Sequence, residues 1–103
     1  MNQFLEIAKD AAREAGALLL SEFDRPKNIS YKGEVDIVTE SDRRSEALIV
    51  GRLRDHFPTH AIVAEEGGEG AAAGARYCWY VDPLDGTTNF AHGYPCFAVS
   101  LGL

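Results

Sequence analysis

Asp82 and Asp85, three positions apart in Asp82-Pro83-Leu84-Asp85-Gly86-Thr87-Thr88-Asn89-Phe90, are the residues of this sequence best suited to chemistry. Residues 77–81 before them read as a strand, and a proline turn past its end lets the two carboxylates converge on one point. Gly86 allows the backbone to approach a ligand closely, and Thr87 adds a hydroxyl and an N–H. Oxygen-only donors of this kind suit Mg²⁺, which takes a few carboxylates together with substrate phosphate and water. Zinc would call for histidine or cysteine, and the string holds neither. The plain alternative is a solvated Asp-Pro turn leading into a capped helix. A bare D-P-x-D-G leaves the two readings evenly matched, and the full nine-residue string favours the metal site.

Two further acidic points stand upstream. Glu65-Glu66 closes an apolar run at 60–65, where paired glutamates also make an ordinary wet strand end. Asp42 follows Thr39 by three positions, the spacing of a helix cap with an acid favoured by the helix dipole. That capping role and a catalytic one are compatible.

The elements that must position these groups alternate. Residues 2–23 read as an amphipathic helix with Phe4, Ala8, Ala11, Ala15, Leu18 and Leu19 on one face, stopped by Pro26. Residues 29–38 read as a hairpin turning near Lys32-Gly33. A second helix spans about residues 41–56, with Leu48, Ile49, Leu53 and Phe57 inward. Strands follow at 60–65, 77–81 and 96–101, with a glycine- and alanine-rich loop at 67–75. The class is therefore mixed α and β. The chain stops inside an apolar strand, which is expected of the front part of a larger protein.

Composition narrows the function. The 103 residues make one domain or part of one, and sixteen acids against ten bases give a net charge of −6. Nucleic acid is thus not expected as the main partner, since Arg43-Arg44 is too short for a basic face. The longest apolar run, within residues 15–20, falls far short of the ~20 residues of a membrane span. No leader is evident, and a cytoplasmic location is expected. Cys78 and Cys96 form no C-x-x-C pair and are expected as free, buried thiols, with a disulfide or a ligand role as the alternative. His92 reads as a polar loop residue, with an approach to substrate as the alternative, and His56 and His60 as solvent-facing. Trp79 and Tyr94 are expected in the core or at its rim.

Residues 36–42 (DIVTESD), 64–67 (AEEG) and 79–103 (WYVDPLDGTTNFAHGYPCFAVSLGL) together resemble the inositol monophosphatase family of Mg²⁺-dependent, lithium-sensitive phosphatases. The resemblance is collinear along the chain. It implies a layered α/β (α+β) sandwich of the inositol monophosphatase and fructose-bisphosphatase type, residues 1–103 being its N-terminal portion. It also implies hydrolysis of a phosphate monoester, inositol monophosphate above others, by a metal-activated water.

Carried onto this sequence, the resemblance makes Glu65, Asp82 and the Leu84 carbonyl ligands of a first metal. Asp82 then bridges to a second, which Asp85 also binds, and Glu66 supports a more weakly held ion. Asp42 and Thr87 resemble the pair that orients and deprotonates the attacking water. Asp85, Gly86 and Thr87 are implied to meet the phosphate, and Lys32 resembles a lysine of a hairpin near the metals. A homodimer is implied for the full-length protein. The family's remaining aspartate ligand lies beyond residue 103, so residues 1–103 alone are expected to be inactive.

Three other readings stay open. Haloacid-dehalogenase-like phosphatases place a nucleophilic Asp in D-x-D-G-T, with aspartates two apart rather than three. A non-catalytic metal- and phosphate-binding fragment is the second. The third is a relative acting on histidinol phosphate or another small ester.

Overall fold

The computed structural model describes residues 2–23, 29–32, 36–64 and 74–103, with the backbone alone at 29–32 and 36–39. Helix α1 (Gln3–Glu22) begins at Asn2, whose side chain accepts from the Leu5 N–H at 3.2 Å and so satisfies one of the helix's orphan donors. Strands β1 (Ile29–Lys32) and β2 (Asp36–Thr39) pair antiparallel from Ile29↔Thr39 to Lys32↔Asp36, the hairpin that the sequence suggests. Helix α2 (Glu40–His56) follows directly, placing Thr39 at the cap position. Beyond it come β3 (Ala61–Ala64), β4 (Cys78–Asp85), the short α3 (Thr87–Ala91) and β5 (Ala98–Gly102).

The second sheet has the order β3-β4-β5, with β3 parallel and β5 antiparallel to β4. Its inner face carries Ile62, Trp79 and Val81, which close over Ala15 of α1, Ile49 and Leu53 of α2, and Phe57 just beyond α2. Burying these groups supplies the apolar stabilisation, at roughly 25 cal/mol per Å² removed from water. A smaller cluster of Leu19, Leu84 and Phe90, flanked by Phe23 and Phe97, packs α1 against the corner between β4 and α3. The helical stripe expected for α1 is the one buried, through Ala11, Ala15 and Leu19. No helix of the described residues is long and apolar enough to cross a membrane.

Strand β4 departs from the expected pattern. It does not end at Val81 in a turn but runs on through Asp82-Pro83-Leu84-Asp85. Asp82 pairs with Ser100 and Asp85 with Ala98, three steps on β4 against two on β5. One extra residue is therefore accommodated as a bulge. Proline has no N–H for the ladder, and a bulge is one of the few places where a sheet tolerates it. The consecutive burial of Pro83 and Leu84 breaks the alternation of the strand, as the bulge requires.

Several side chains also lie elsewhere than expected. Cys78 and Cys96 are free thiols, but Cys96 is exposed and Cys78 half-buried. Tyr94 is 62% exposed, outside the core, whereas Trp79 is fully buried. His60 is half-buried rather than solvent-facing: its Nδ1 accepts from Trp79 Nε1 at 2.9 Å and its ring stacks on Phe57. His56 and His92 are exposed, each with Nδ1 near the carbonyl four residues back.

Outside the core, α1 and α2 are clipped by an ion pair that helix periodicity does not reveal. Arg52 Nε and Nη2 donate to the two oxygens of Glu14 at 3.1 and 2.7 Å. Those hydrogen bonds, opposed by slight desolvation and helped by the Arg52 charge, hold the Glu14 carboxyl below its ordinary value of 4.5. A carboxyl with a depressed folded value stabilises above the unfolded value and loses that contribution as pH falls through the folded one. In Arg52→Gln the Glu14 titration midpoint, followed by NMR, is expected to return toward 4.5. The variant's loss of thermal midpoint should shrink in acid. An unshifted Glu14 titration would mean that the pair is not formed in solution.

Candidate active site

The bulge in β4 determines how the corner is built. By extending β4 to Asp85, it brings Leu84 into the core and leaves Asp85 exposed at the strand end. The Leu84 N–H donates to Asp82 Oδ1 at 3.3 Å, tying the first aspartate across the bulge. Gly86 then takes φ +96°, a left-handed conformation that L side chains rarely adopt, and starts α3.

The turn at Gly86 delivers Thr87 to Asp42. The Thr87 hydroxyl lies 2.8 Å from Asp42 Oδ2 and 3.0 Å from the Leu84 carbonyl oxygen. When Asp42 is ionised, both neighbours only accept, so the single hydroxyl proton serves one of them at a time. Asp42 is 0% exposed, set in the first turn of α2. One turn further on, the Ser45 hydroxyl donates to the Pro83 carbonyl at 2.7 Å and fastens α2 to the bulge. Asp82, Leu84, Thr87 and Asp42 thus form one chain of contacts between residues distant in sequence.

The other predicted residues divide into two groups. Glu65 and Glu66 lie outside the described residues. Ala64, which precedes Glu65, pairs in parallel with Val81, which precedes Asp82. Lys32 ends β1 opposite Asp36 in the hairpin, and β2 of that hairpin packs beside α3. Asp82 also faces an open hollow of about 440 Å³, shared with Ala64, Tyr80 and Ser100. Among the described residues no three of His, Cys, Asp and Glu cluster as a metal centre. The donors at the corner are carboxylate and carbonyl oxygens, a set that fits a hard divalent cation and not a thiophilic one. Sequence reasoning missed Ser45 and Glu22, both buried and both hydrogen-bonded next to Asp42. Glu22 had a signal, a charge four positions from Leu18 on the apolar side of α1.

A layered α/β fold with oxygen donors gathered where a bulged strand meets a helix start defines the class. The chain belongs to the inositol monophosphatase family, whose model matches residues 1–103. It is 53% identical over 98% of its length to the Nus factor SuhB of Pseudomonas aeruginosa, covering 39% of that protein. It is 46% identical over its whole length to the inositol-1-monophosphatase of Synechocystis sp., covering 36% of it. The crystal structure of the extragenic suppressor protein suhB from Bartonella henselae matches 97% of the chain, with TM-score 0.92 and 35% identity, over 40% of that structure. A more distant structure of the same fold is an IMPase/NADP phosphatase complexed with Mg²⁺ and phosphate, at 22% identity and TM-score 0.71. It matches 86% of the chain, over 34% of its own. The chain thus spans between a third and two fifths of the length of these relatives.

Proposed function

We propose that the protein carrying this chain is a Mg²⁺-dependent phosphatase that hydrolyses a phosphate monoester, most suitably an inositol monophosphate. On this reading residues 1–103 are the N-terminal portion of one domain. The observation that carries the reading is the hydrogen bond from Thr87 to buried Asp42, beside Asp82 and the Leu84 carbonyl. A carboxylate held against a hydroxyl is the arrangement by which a general base takes a proton from an attacking water. Asp82, Asp85, the Leu84 carbonyl and Glu65 would hold the cations, with Glu66 at a weaker ion. Bound there, Mg²⁺ supplies positive charge against the phosphate and lowers the pKa of water. Asp42 takes the proton through or beside Thr87. The N–H groups of Gly86 and Thr87 would donate to phosphate oxygens, and Lys32 would add a positive charge from the hairpin. The exposed and half-buried thiols fit the reducing cytoplasm, and a homodimer belongs to the same proposal.

The test is a substrate panel on the full-length protein, with inositol 1-phosphate, histidinol phosphate and other small esters. Turnover should require Mg²⁺ and be inhibited by lithium and by excess Ca²⁺, which favours looser, higher coordination. Asp85→Asn and Glu65→Gln should each lower it at least ~10²-fold, the effect of losing one well-placed electrostatic group. Part of the loss should return at high Mg²⁺. Full activity after exhaustive chelation would overturn the reading.

The 53% identity to a protein named Nus factor supports a second reading, a nucleic-acid-related role. On α2, Arg43, Arg44 and Arg52 are paired with Glu40, Glu22 and Glu14, which leaves the helix surface electrically mixed. Salt-sensitive RNA binding in a gel-shift assay, without phosphatase turnover, would favour it over the first.

A further inference from the structure

Glu22 is a buried acid for which the proposed chemistry has no use. Its side chain is 8% exposed in the last turn of α1, on the face that packs against the core. One oxygen, Oε1, receives both the Ser41 hydroxyl at 2.6 Å and Arg44 Nη1 at 3.1 Å. Ser41 and Arg44 are one turn apart at the start of α2, and Asp42 lies between them. The same turn is held from another direction by Thr87 on Asp42 and by Ser45 on the Pro83 carbonyl.

Burying a carboxylate carries a desolvation penalty that pairing with a half-exposed arginine offsets only in part. An apolar residue would fill the position with less penalty. What Glu22 adds is direction: two donors three residues apart on α2 must meet one oxygen, which fixes the rotation and axial position of that turn. A carboxylate near the start of α2 also complements the helix dipole.

We infer that Glu22 is a positioning residue for Asp42: through Ser41 and Arg44 it sets the turn of α2 that presents the Asp42 carboxylate to Thr87. The kinetic part of this inference rests on the function proposed above. The structural part does not.

The experiment therefore has two arms, both on the full-length protein. In the first, the fall in thermal midpoint caused by Thr87→Val is measured in the wild type and in the Glu22→Ala background. If Glu22 places Asp42 for Thr87, the fall in that background is reduced by about half or more, the non-additivity of coupled sites. Equal falls in both backgrounds would overturn the inference. Ser41→Ala cuts the same link from α2 and is run in parallel, which keeps the test open should Glu22→Ala not fold.

In the second arm, Glu22→Ala should lower kcat about 10- to 100-fold, the scale of an ångström-sized misplacement, with KM little changed. Glu22→Gln, which still accepts from Ser41, should restore most of kcat. Glu22→Leu should restore the midpoint and not kcat. Recovery of kcat by Glu22→Leu would reduce Glu22 to a space-filling role and overturn the inference. A wild type without turnover would dispose of the phosphatase reading alone, and the midpoint cycle would still decide the role of Glu22.

Discussion

Asp42→Asn in the full-length protein is expected to lower kcat at least about 10²-fold while the thermal midpoint stays level or rises. The two halves of this result have separate causes. Asn keeps the size of the side chain and leaves an acceptor for the Thr87 hydroxyl, which stands 2.8 Å from Asp42. It removes a charge from a site with 0% exposure, where an ionised carboxylate is expensive to hold. Replacing a buried carboxylate by a neutral group of the same size is therefore not expected to weaken the fold, and on the proposed function this is a trade between stability and activity. On the proposed mechanism the change removes the proton acceptor, since an amide does not take up a proton near neutral pH. General bases contribute about 10²- to 10⁴-fold. Kinetics at saturating Mg²⁺ and calorimetry on the same sample read both halves. Wild-type turnover would reduce Asp42 to a helix cap. The companion change Thr87→Val removes a donor from the buried carboxylate and should lower kcat and midpoint together, the latter by the equivalent of about 1–3 kcal/mol.

Periodicity and turn chemistry act over a few residues, and what they control was legible in the sequence. The apolar stripe of α1, the hairpin at 29–39 and the start of α2 after Thr39 follow from local patterns. The nine-residue string suggests an oxygen-donor site by its residue types alone. The Asp-Pro pair was misread for a physical reason. Proline favours a turn locally, but here β5 supplies a partner strand, and a bulge absorbs the missing N–H. Interactions between elements were not legible, because they depend on helix rotation. Glu22 meets Ser41 and Arg44 across 19 and 22 positions, Arg52 meets Glu14 across 38, and Ser45 meets Pro83 across 38. His60 misled similarly. Beside a proline turn it reads as polar surface, but Trp79 needs an acceptor for its buried N–H, and His60 Nδ1 provides it. The pairing of Asp42 with Thr87 lies between these cases. The resemblance named both residues, and only the fold shows that a left-handed turn is what joins them.

That turn makes Gly86→Ala the most damaging single methyl group that can be added to the described corner. Two penalties coincide. The residue sits at φ +96°, where an L side chain is strained by roughly 1–2 kcal/mol. An added Cβ would also lie 2.8 Å from the Cys96 carbonyl oxygen and 3.2 Å from Phe97 Cα, and both are backbone atoms. The carbonyl cannot easily retreat, because Asn89 Nδ2 donates to it at 2.9 Å. Phe97, next in the chain, is packed against Phe90 and Phe23. Relief must therefore come from Gly86 itself, by opening the turn, and that carries Thr87 away from Asp42. Strain and overpacking together are expected to cost about 2–4 kcal/mol of stability. In molecules that remain folded, displacement of Thr87 and of the N–H groups beside it should lower kcat by about 10²-fold. Unfolding curves give the first effect, and kinetics well below the variant's midpoint give the second. Asn89→Ala in the same background should restore part of the stability by freeing the Cys96 carbonyl to move. A Gly86→Ala protein with the wild-type midpoint and wild-type kcat would show that the turn accommodates a side chain in solution, and that Thr87 does not depend on Gly86 for its place.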